Sequence, residues 1–389
     1  AGEWWSSPDR ALDAGHHEDL ALGAPYDTDV TWRVVAVDAL GTGSTADAVI
    51  HTDVLPEGAP VAELVGSDPT AYDPATPWVV VSVTGDGDWT EIVDRRGRVV
   101  WALVAGTDRA TLYPQLSLEG DSLLIDHNTA FTLFDEGAAS EVVELTIDGT
   151  VVRSWATPGA HHPFAHLPGD EIAYARSYDT FAHEDLTVVA ADGSTRQVFD
   201  CDAWAAEIGL VDTWCSANAL KRDPVTGNLL YTLFTLQSTI EVDPVTASAV
   251  RWFGDVPGAY AFDAPSSGFV YPHGGYFTDA GTFLISDSVA EPPAEMLVRE
   301  YAVDAASETL TEIWQFGLGE GIEGFGFGDV YRLPGGNTHQ NCGFSRLREA
   351  TPDGRLVWDV KFRWSDYPVF QIGRSTPFAD LYALAPTLP

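Results

Sequence analysis

A hairpin that returns six times constrains this chain more than any other feature. "TEIVDRRGRVVWAL", "SEVVELTIDGTVVRSW" and "LTVVAADGSTRQVF" alternate apolar and polar residues on either side of an acidic turn. "STIEVDPVTASAVRWF", "LVREYAVDAASETLTEIWQF" and "SRLREATPDGRLVWDV" repeat the pattern, so copies start near residues 90, 140, 186, 238, 297 and 345. Period-two alternation marks half-buried strands. The Asp-Gly and Asp-Pro pairs supply the backbone angles a tight turn needs. A Trp or Phe closes nearly every copy and is expected to pack between layers.

A second class of segment lies between these hairpins. It comprises "YPQLSLEGDSLLIDHN", "HHPFAHLPGDEIAYARS", "WCSANALKRDPVTGNLLYTL", "YPHGGYFTDAGTFLISDS" and "FGDVYRLPGGNTHQNCG". The sixth copy is split between "TPWVVVSVTG" and the C-terminal "YPVFQIGRSTPFADLYAL". A period of roughly 50 residues with about four strands per unit is the signature of a β-propeller. Sharing one blade between the two ends of the propeller would close the ring and remove its sheet edges. The expectation is an all-β, six-bladed propeller over residues 70–389. Residues 1–60 form a separate β-region, in which "YDTDVTWRVVAVDALGTGSTADAVIHTD" is similar to the last two strands of a fibronectin III-like sandwich. "DAWAAEIGLVD" reads as one short helix.

Composition narrows the function. With 58 acidic against 20 basic residues the net charge is −38, which repels nucleic acid and anionic membranes. The acidity suits a solvated surface, or a patch for a cationic partner. Hydrophobic content of 45% belongs to a globular chain. No apolar run reaches the length of a membrane span, and "AGEWWSSPDR" carries no signal peptide, as in a processed form or an expressed fragment. Cys201 and Cys215 flank "DAWAAEIGLVDTW" and are placed to close a loop disulfide, which leaves Cys342 unpaired. A protein partner or homo-oligomer is compatible with such a chain.

Inner strands of a propeller face its central channel, so residues at their starts are the natural site. His273 in "YPHGG" sits there, as a reactive group or as a hydrogen-bonded strand end. His161 and His162 are adjacent, so only one of them can face the channel. His127 ends a second strand, and Asp126, His127 and Asn128 suit a turn or a cation. His339 lines a pocket or meets solvent. Tyr271 and Trp214, like Tyr113, begin inner strands, where their rings stack on an aromatic or sugar ligand or pack between blades. Arg176 brings a positive charge if its strand end reaches the funnel; Arg346 and Arg374 are further candidates. Asp86, Asp88 and Glu91 in "TGDGDWTEIVD" offer oxygen ligands of the kind calcium takes. His16, His17 and His51 fall in the N-terminal region, at the surface.

Several segments carry a family resemblance. "IVDRRGRVVWAL", "FTLFDEGAASEVVELTIDGTVVRSW", "SANALKRDPVTGNLLYTLFTLQSTIEVDPVTASAVRWFG" and "GNTHQNCGFSRLREATPDGRLVWDV" resemble the bacterial arylsulfotransferases over roughly residues 70–365. That resemblance implies an exported six-bladed propeller, in the periplasm, at the cell surface or outside the cell. It implies transfer of a sulfuryl group from a phenolic ester to another phenol, without a nucleotide donor or other required cofactor. It further implies a channel histidine that takes the group covalently, helped by other histidines and an arginine. A neutral imidazole is a competent nucleophile near neutral pH, and sulfuryl oxygens need donors or cations in the transition state.

Carried over by position, His273 is the nucleophile and His162 a second imidazole. Asn218 is a donor to the sulfuryl oxygens, and Arg176 replaces a missing charge. His161, Ser216, Tyr271, Trp214, His127 and His339 line the ligand, a small aromatic or sulfated molecule. Pro163 stands in place of an acid, Ser216 in place of a histidine, and Phe234 or Thr235 near the arginine position. Two further readings stand beside this one. One is a non-catalytic binding or scaffold propeller that has lost the catalytic set. The other is a different hydrolase or lyase using the same funnel.

Overall fold

The computed structural model describes residues 5–11, 20–133, 135–179, 183–211, 213–289, 295–324, 327–365, 367–368 and 371–386. Six antiparallel sheets follow one another in chain order and form the expected six blades. In the first blade the C-terminal strand Ile372–Phe378 is innermost. It pairs with Trp78–Gly85, which is followed by Gly87–Asp94 and Val99–Val104. One blade is therefore built from both ends of the chain, as the split sixth repeat implies. The innermost strands of the next five blades are Gln115–Leu116, Ala160–Leu167, Ala217–Arg222, His273–Phe277 and Asp329–Arg332.

Apolar residues from facing blades fill the seams. Val79, Val81 and Val83 of the first blade pack on Leu347, Trp358 and Val360 of the sixth. Ala173 and Leu186 of the third blade share a cluster with Leu220 and Tyr231 of the fourth. The tryptophans that close the outer hairpins also fasten blades through their indole N–H. Trp101 donates to the Ile147 carbonyl at 2.7 Å, Trp155 to Asp170 at 2.9 Å, and Trp358 to Arg95 at 2.9 Å, each on the next blade around the ring. A buried indole needs such a partner, so the repeated aromatic is both filler and tie.

The short helix is Cys201–Glu207, capped by Asp200, whose side chain accepts from the Ala203 N–H at 2.9 Å. Cys201 is disulfide-bonded to Cys215, and Cys342 is buried and free. No helix among the described residues is long and apolar enough to cross a membrane.

The described strands of the N-terminal region pair as hairpins. Asp29–Trp32 pairs with Ala48–His51, and Val35–Asp38 with Gly41–Ser44, which makes one two-stranded ribbon. Among the described residues no second sheet faces it. Val61–Ser67 instead joins the outer edge of the sixth blade against Leu356–Trp364. His51 holds the foot of the ribbon between Asp29 at 2.8 Å and Asp27 at 3.1 Å. His16 and His17 lie outside the described residues.

Candidate functional site

The starts of the inner strands gather on one face of the ring, and the third and fifth blades bring the imidazoles there. His161 and His162 open the strand Ala160–Leu167 with ring centroids 4.1 Å apart and nearly perpendicular. The strict alternation expected of a strand does not hold here: the pairing register shifts between Ala160 and Phe164, and the two rings lie in contact. His161 is buried, with Nε2 3.2 Å from Glu184 Oε1. Glu184 also accepts from the Ala217 N–H at 2.8 Å, the Tyr231 hydroxyl at 3.3 Å and the Ser216 hydroxyl at 3.4 Å. Burial raises the Glu184 carboxyl well above its usual range and lowers His161 to about 3. One proton therefore lies between two neutral partners.

His162 lies against Tyr113 and Phe131, with centroids 5.8 and 6.0 Å away, and Phe131 also meets the His161 ring edge-on at 6.2 Å. Desolvation, with His161 and His273 nearby, holds it well below the ordinary histidine range.

His273 opens the inner strand of the fifth blade. Its Nδ1 lies 2.8 Å from the Tyr271 carbonyl oxygen. A carbonyl can only accept, so the proton resides on Nδ1 and Nε2 carries the lone pair. Tyr271 sits at φ 50°, in the left-handed region that bulky residues avoid. Non-glycine residues held there recur at functional sites. Phe234 stacks on Tyr271 at 5.2 Å and meets His273 edge-on at 5.9 Å.

Beneath these rings the channel is filled by an ionic cluster. Asp329 takes Lys221 Nζ on one carboxylate oxygen at 2.6 Å and Arg374 Nε on the other at 2.9 Å. Lys221 lies over the rings of Tyr331 at 3.9 Å and Tyr276 at 4.6 Å, and the Arg374 guanidinium over Tyr113 at 4.5 Å. Burial brings Lys221 down to about 8, against the pull of Asp329. Two cations face one carboxylate, in a chain of net charge −38.

His161, His162, His273, Tyr271 and Ser216 thus lie at or just before the starts of neighbouring inner strands, with His161 and His273 almost fully buried. Asn218 is there too, in a different role. Its amide Nδ2 donates to the Pro272 carbonyl at 2.8 Å, so the expected donor to a ligand ties the fourth blade to the fifth. Its backbone carbonyl accepts from the Tyr113 hydroxyl across the channel.

Other candidates lie elsewhere. His127 stands 3.1 Å from Arg109 and 3.6 Å from Glu141, at the end of a second strand. His339 does not meet solvent. It is fully buried on a second strand, with Nε2 2.8 Å from Ser375 Oγ. The Arg176 guanidinium lies 4.9 Å over the Tyr178 ring, and its charge acts on Asp185.

The calcium candidates do not converge. Asp88 and Glu91 occupy opposite faces of one strand. Asp88 accepts from the Thr84 hydroxyl at 2.7 Å, and Glu91 is fully buried and pushed well above the usual carboxylate range. Among the described residues no three metal-capable side chains cluster.

Glu184, Lys221 and Asp329 were not singled out from the sequence. Lys221 had a signal: the chain has only two lysines, and this one falls on an inner strand.

No family model matches the chain. No curated protein matches it either. Solved structures similar to it include a nidogen/laminin complex, with 12% identity over 76% of this chain and 97% of that one and a TM-score of 0.46. The β-propeller domain of Swd1 from Myceliophteria thermophila has 14% identity over 79% and 91%, with a TM-score of 0.45. A putative 6-phosphogluconolactonase from Bacteroides fragilis has 14% identity over 76% and 100%, with a TM-score of 0.43.

Proposed function

We propose that this propeller is an exported protein that binds a small aromatic sulfate ester at the mouth of its channel and transfers the sulfuryl group through His273. The reading is carried by one observation. The Tyr271 carbonyl, 2.8 Å from His273 Nδ1, fixes the tautomer of the neutral ring, so that its nucleophilic nitrogen is Nε2. Attack on sulfur forms the N–S bond and breaks the S–O bond to the aryl group, which leaves as a phenolate. A second phenol then attacks the sulfur through its oxygen, its hydroxyl proton passes to the departed phenolate, the N–S bond breaks, and neutral His273 returns.

The surroundings support this chemistry. His162, neutral through desolvation, donates a hydrogen bond to a sulfuryl oxygen without competing for the proton. Phe131 and Phe234 flank the imidazoles and suit an aryl ring. Where the resembled family carries an arginine, this chain has Phe234 or Thr235, and the positive potential comes from Lys221 and Arg374 below. A buried disulfide fits an oxidising compartment outside the cytosol.

The test is to incubate the protein with 4-nitrophenyl sulfate and phenol, and to follow 4-nitrophenol release and a sulfuryl adduct on the peptide containing His273. Equal rates for wild type and His273→Ala would remove the mechanism. The stack of uncharged Phe234 on Tyr271 favours one other reading, a propeller that binds such esters without turning them over. It predicts saturable binding of 4-nitrophenyl sulfate with no release of 4-nitrophenol.

A further inference from the structure

An aromatic groove opens on the rim beside the imidazoles. Thr213, Trp214, Phe234, Thr235, Gln237 and Tyr271 line it. Trp214 is 64% exposed, yet its backbone is held firmly. The next residue, Cys215, is disulfide-bonded to Cys201 in the helix. The Trp214 carbonyl accepts from Thr235 Oγ1 at 2.5 Å, and that oxygen in turn accepts from the Ser216 N–H at 3.1 Å. A large apolar ring in water on a fixed pedestal does nothing for the core. It does lower the ordering cost of binding a ligand.

Charge decides what kind of ligand. The chain carries 58 acidic residues, but among the described residues the groove wall contains no charged side chain. Neither a cation nor an anion finds a charged partner among the described residues of the wall. The wall offers one flat exposed indole with hydroxyl and amide groups of Thr213 and Gln237 around it. A pyranose ring has the matching surfaces, an apolar C–H face for the indole and a rim of hydroxyls for the polar groups. The groove is also open at the surface, which suits an inner unit of a chain better than an enclosed small molecule.

We infer that this groove binds a neutral saccharide, with a pyranose ring stacked on Trp214. The inference does not depend on sulfuryl transfer, and its test contains no sulfated compound. The full chain is titrated by calorimetry with the neutral hexaoses of cellulose, mannan, xylan, amylose and chitin. At least one is expected to bind, and Trp214→Ala is expected to weaken it about tenfold or more. Trp32→Ala, at another exposed tryptophan remote in sequence from the groove, should leave it unchanged. Absence of binding by all five, or equal binding to wild type and Trp214→Ala, would overturn the proposal. So would perturbation of Trp214 by 4-nitrophenol alone, which would make the groove an aryl site.

Discussion

Lys221 Nζ lies 2.6 Å from Asp329 Oδ1 at the centre of the ring, joining the inner strands of the fourth and sixth blades. The other Asp329 oxygen takes Arg374 from the closing strand, so one carboxylate fastens three blades. Removing that carboxylate leaves two buried cations facing each other, and breaking a buried pair in this way costs about 3–5 kcal/mol. Asp329→Asn should therefore lower the urea midpoint strongly. Lys221→Met keeps the Arg374–Asp329 pair and should cost clearly less. Equal losses in the two variants would show that the carboxylate is not the organising group.

The Cys201–Cys215 bridge closes a loop of 14 residues in sequence separation. Cross-linking a loop of that size restricts the unfolded chain by about 3 kcal/mol. Mild reduction, or Cys201→Ser with Cys215→Ser, should cost about 2–3 kcal/mol in denaturant. Because Ser216 and Ala217 follow directly, the same change should also weaken binding at the mouth. A reduced protein with unchanged stability would contradict this.

His339 makes the acid limb of the stability curve predictable. Burial holds it at about 3 in the folded protein, against an ordinary value near 6.5 when unfolded. Between those values the unfolded state binds the extra proton, so the contribution of this group is present above 6.5 and lost as the pH falls toward 3. His339→Gln removes that term. Between pH 7 and pH 4.5 the wild type should lose about 2–3 kcal/mol more than the variant. Asp287, raised by burial to about 7, acts in the opposite sense, its stability being lost as the pH rises through 7. Comparing His339→Gln with wild type cancels that contribution, and parallel curves for the two proteins would refute the assignment.

The fold was legible because its signals are local. Strand alternation, turn residues and the closing tryptophans each act over a few positions, and they repeat. The split blade was legible because a ring needs its edges closed. The site was legible only where a position sets a direction. Position at the start of an inner strand brings His161, His162 and His273 to one side of the ring, but the alternation expected of the adjacent pair fails where the register shifts, and their rings touch at 4.1 Å. Ion pairing across blades left no such trace. Lys221, Asp329 and Arg374 are separated by more than a hundred residues or by a whole blade, and nothing near any of them in sequence names its partner. Asn218 misled for the same reason. Its acceptor, the Pro272 carbonyl, belongs to the next blade.

Gly274, next to His273, couples the mouth to the ionic cluster. It sits at φ 61°, and a Cβ there would lie 2.4 Å from Asp329 Oδ1 and 3.4 Å from Lys221 Nζ. The backbone strain of a non-glycine residue in that region is about 1–2 kcal/mol. The clash adds to it, because Asp329 cannot move away without loosening Lys221. Gly281 is the internal control: it has φ 76° on the same blade, with nothing within 4 Å of its would-be Cβ. Gly281→Ala should cost only the backbone term, and Gly274→Ala at least about 2 kcal/mol more in urea denaturation. Displacing Asp329 also releases Lys221 from its strongest partner, so Gly274→Ala should lower the lysine pKa further below about 8. Equal destabilisation by the two substitutions would mean that Asp329 yields freely, and the coupling between mouth and cluster would be refuted.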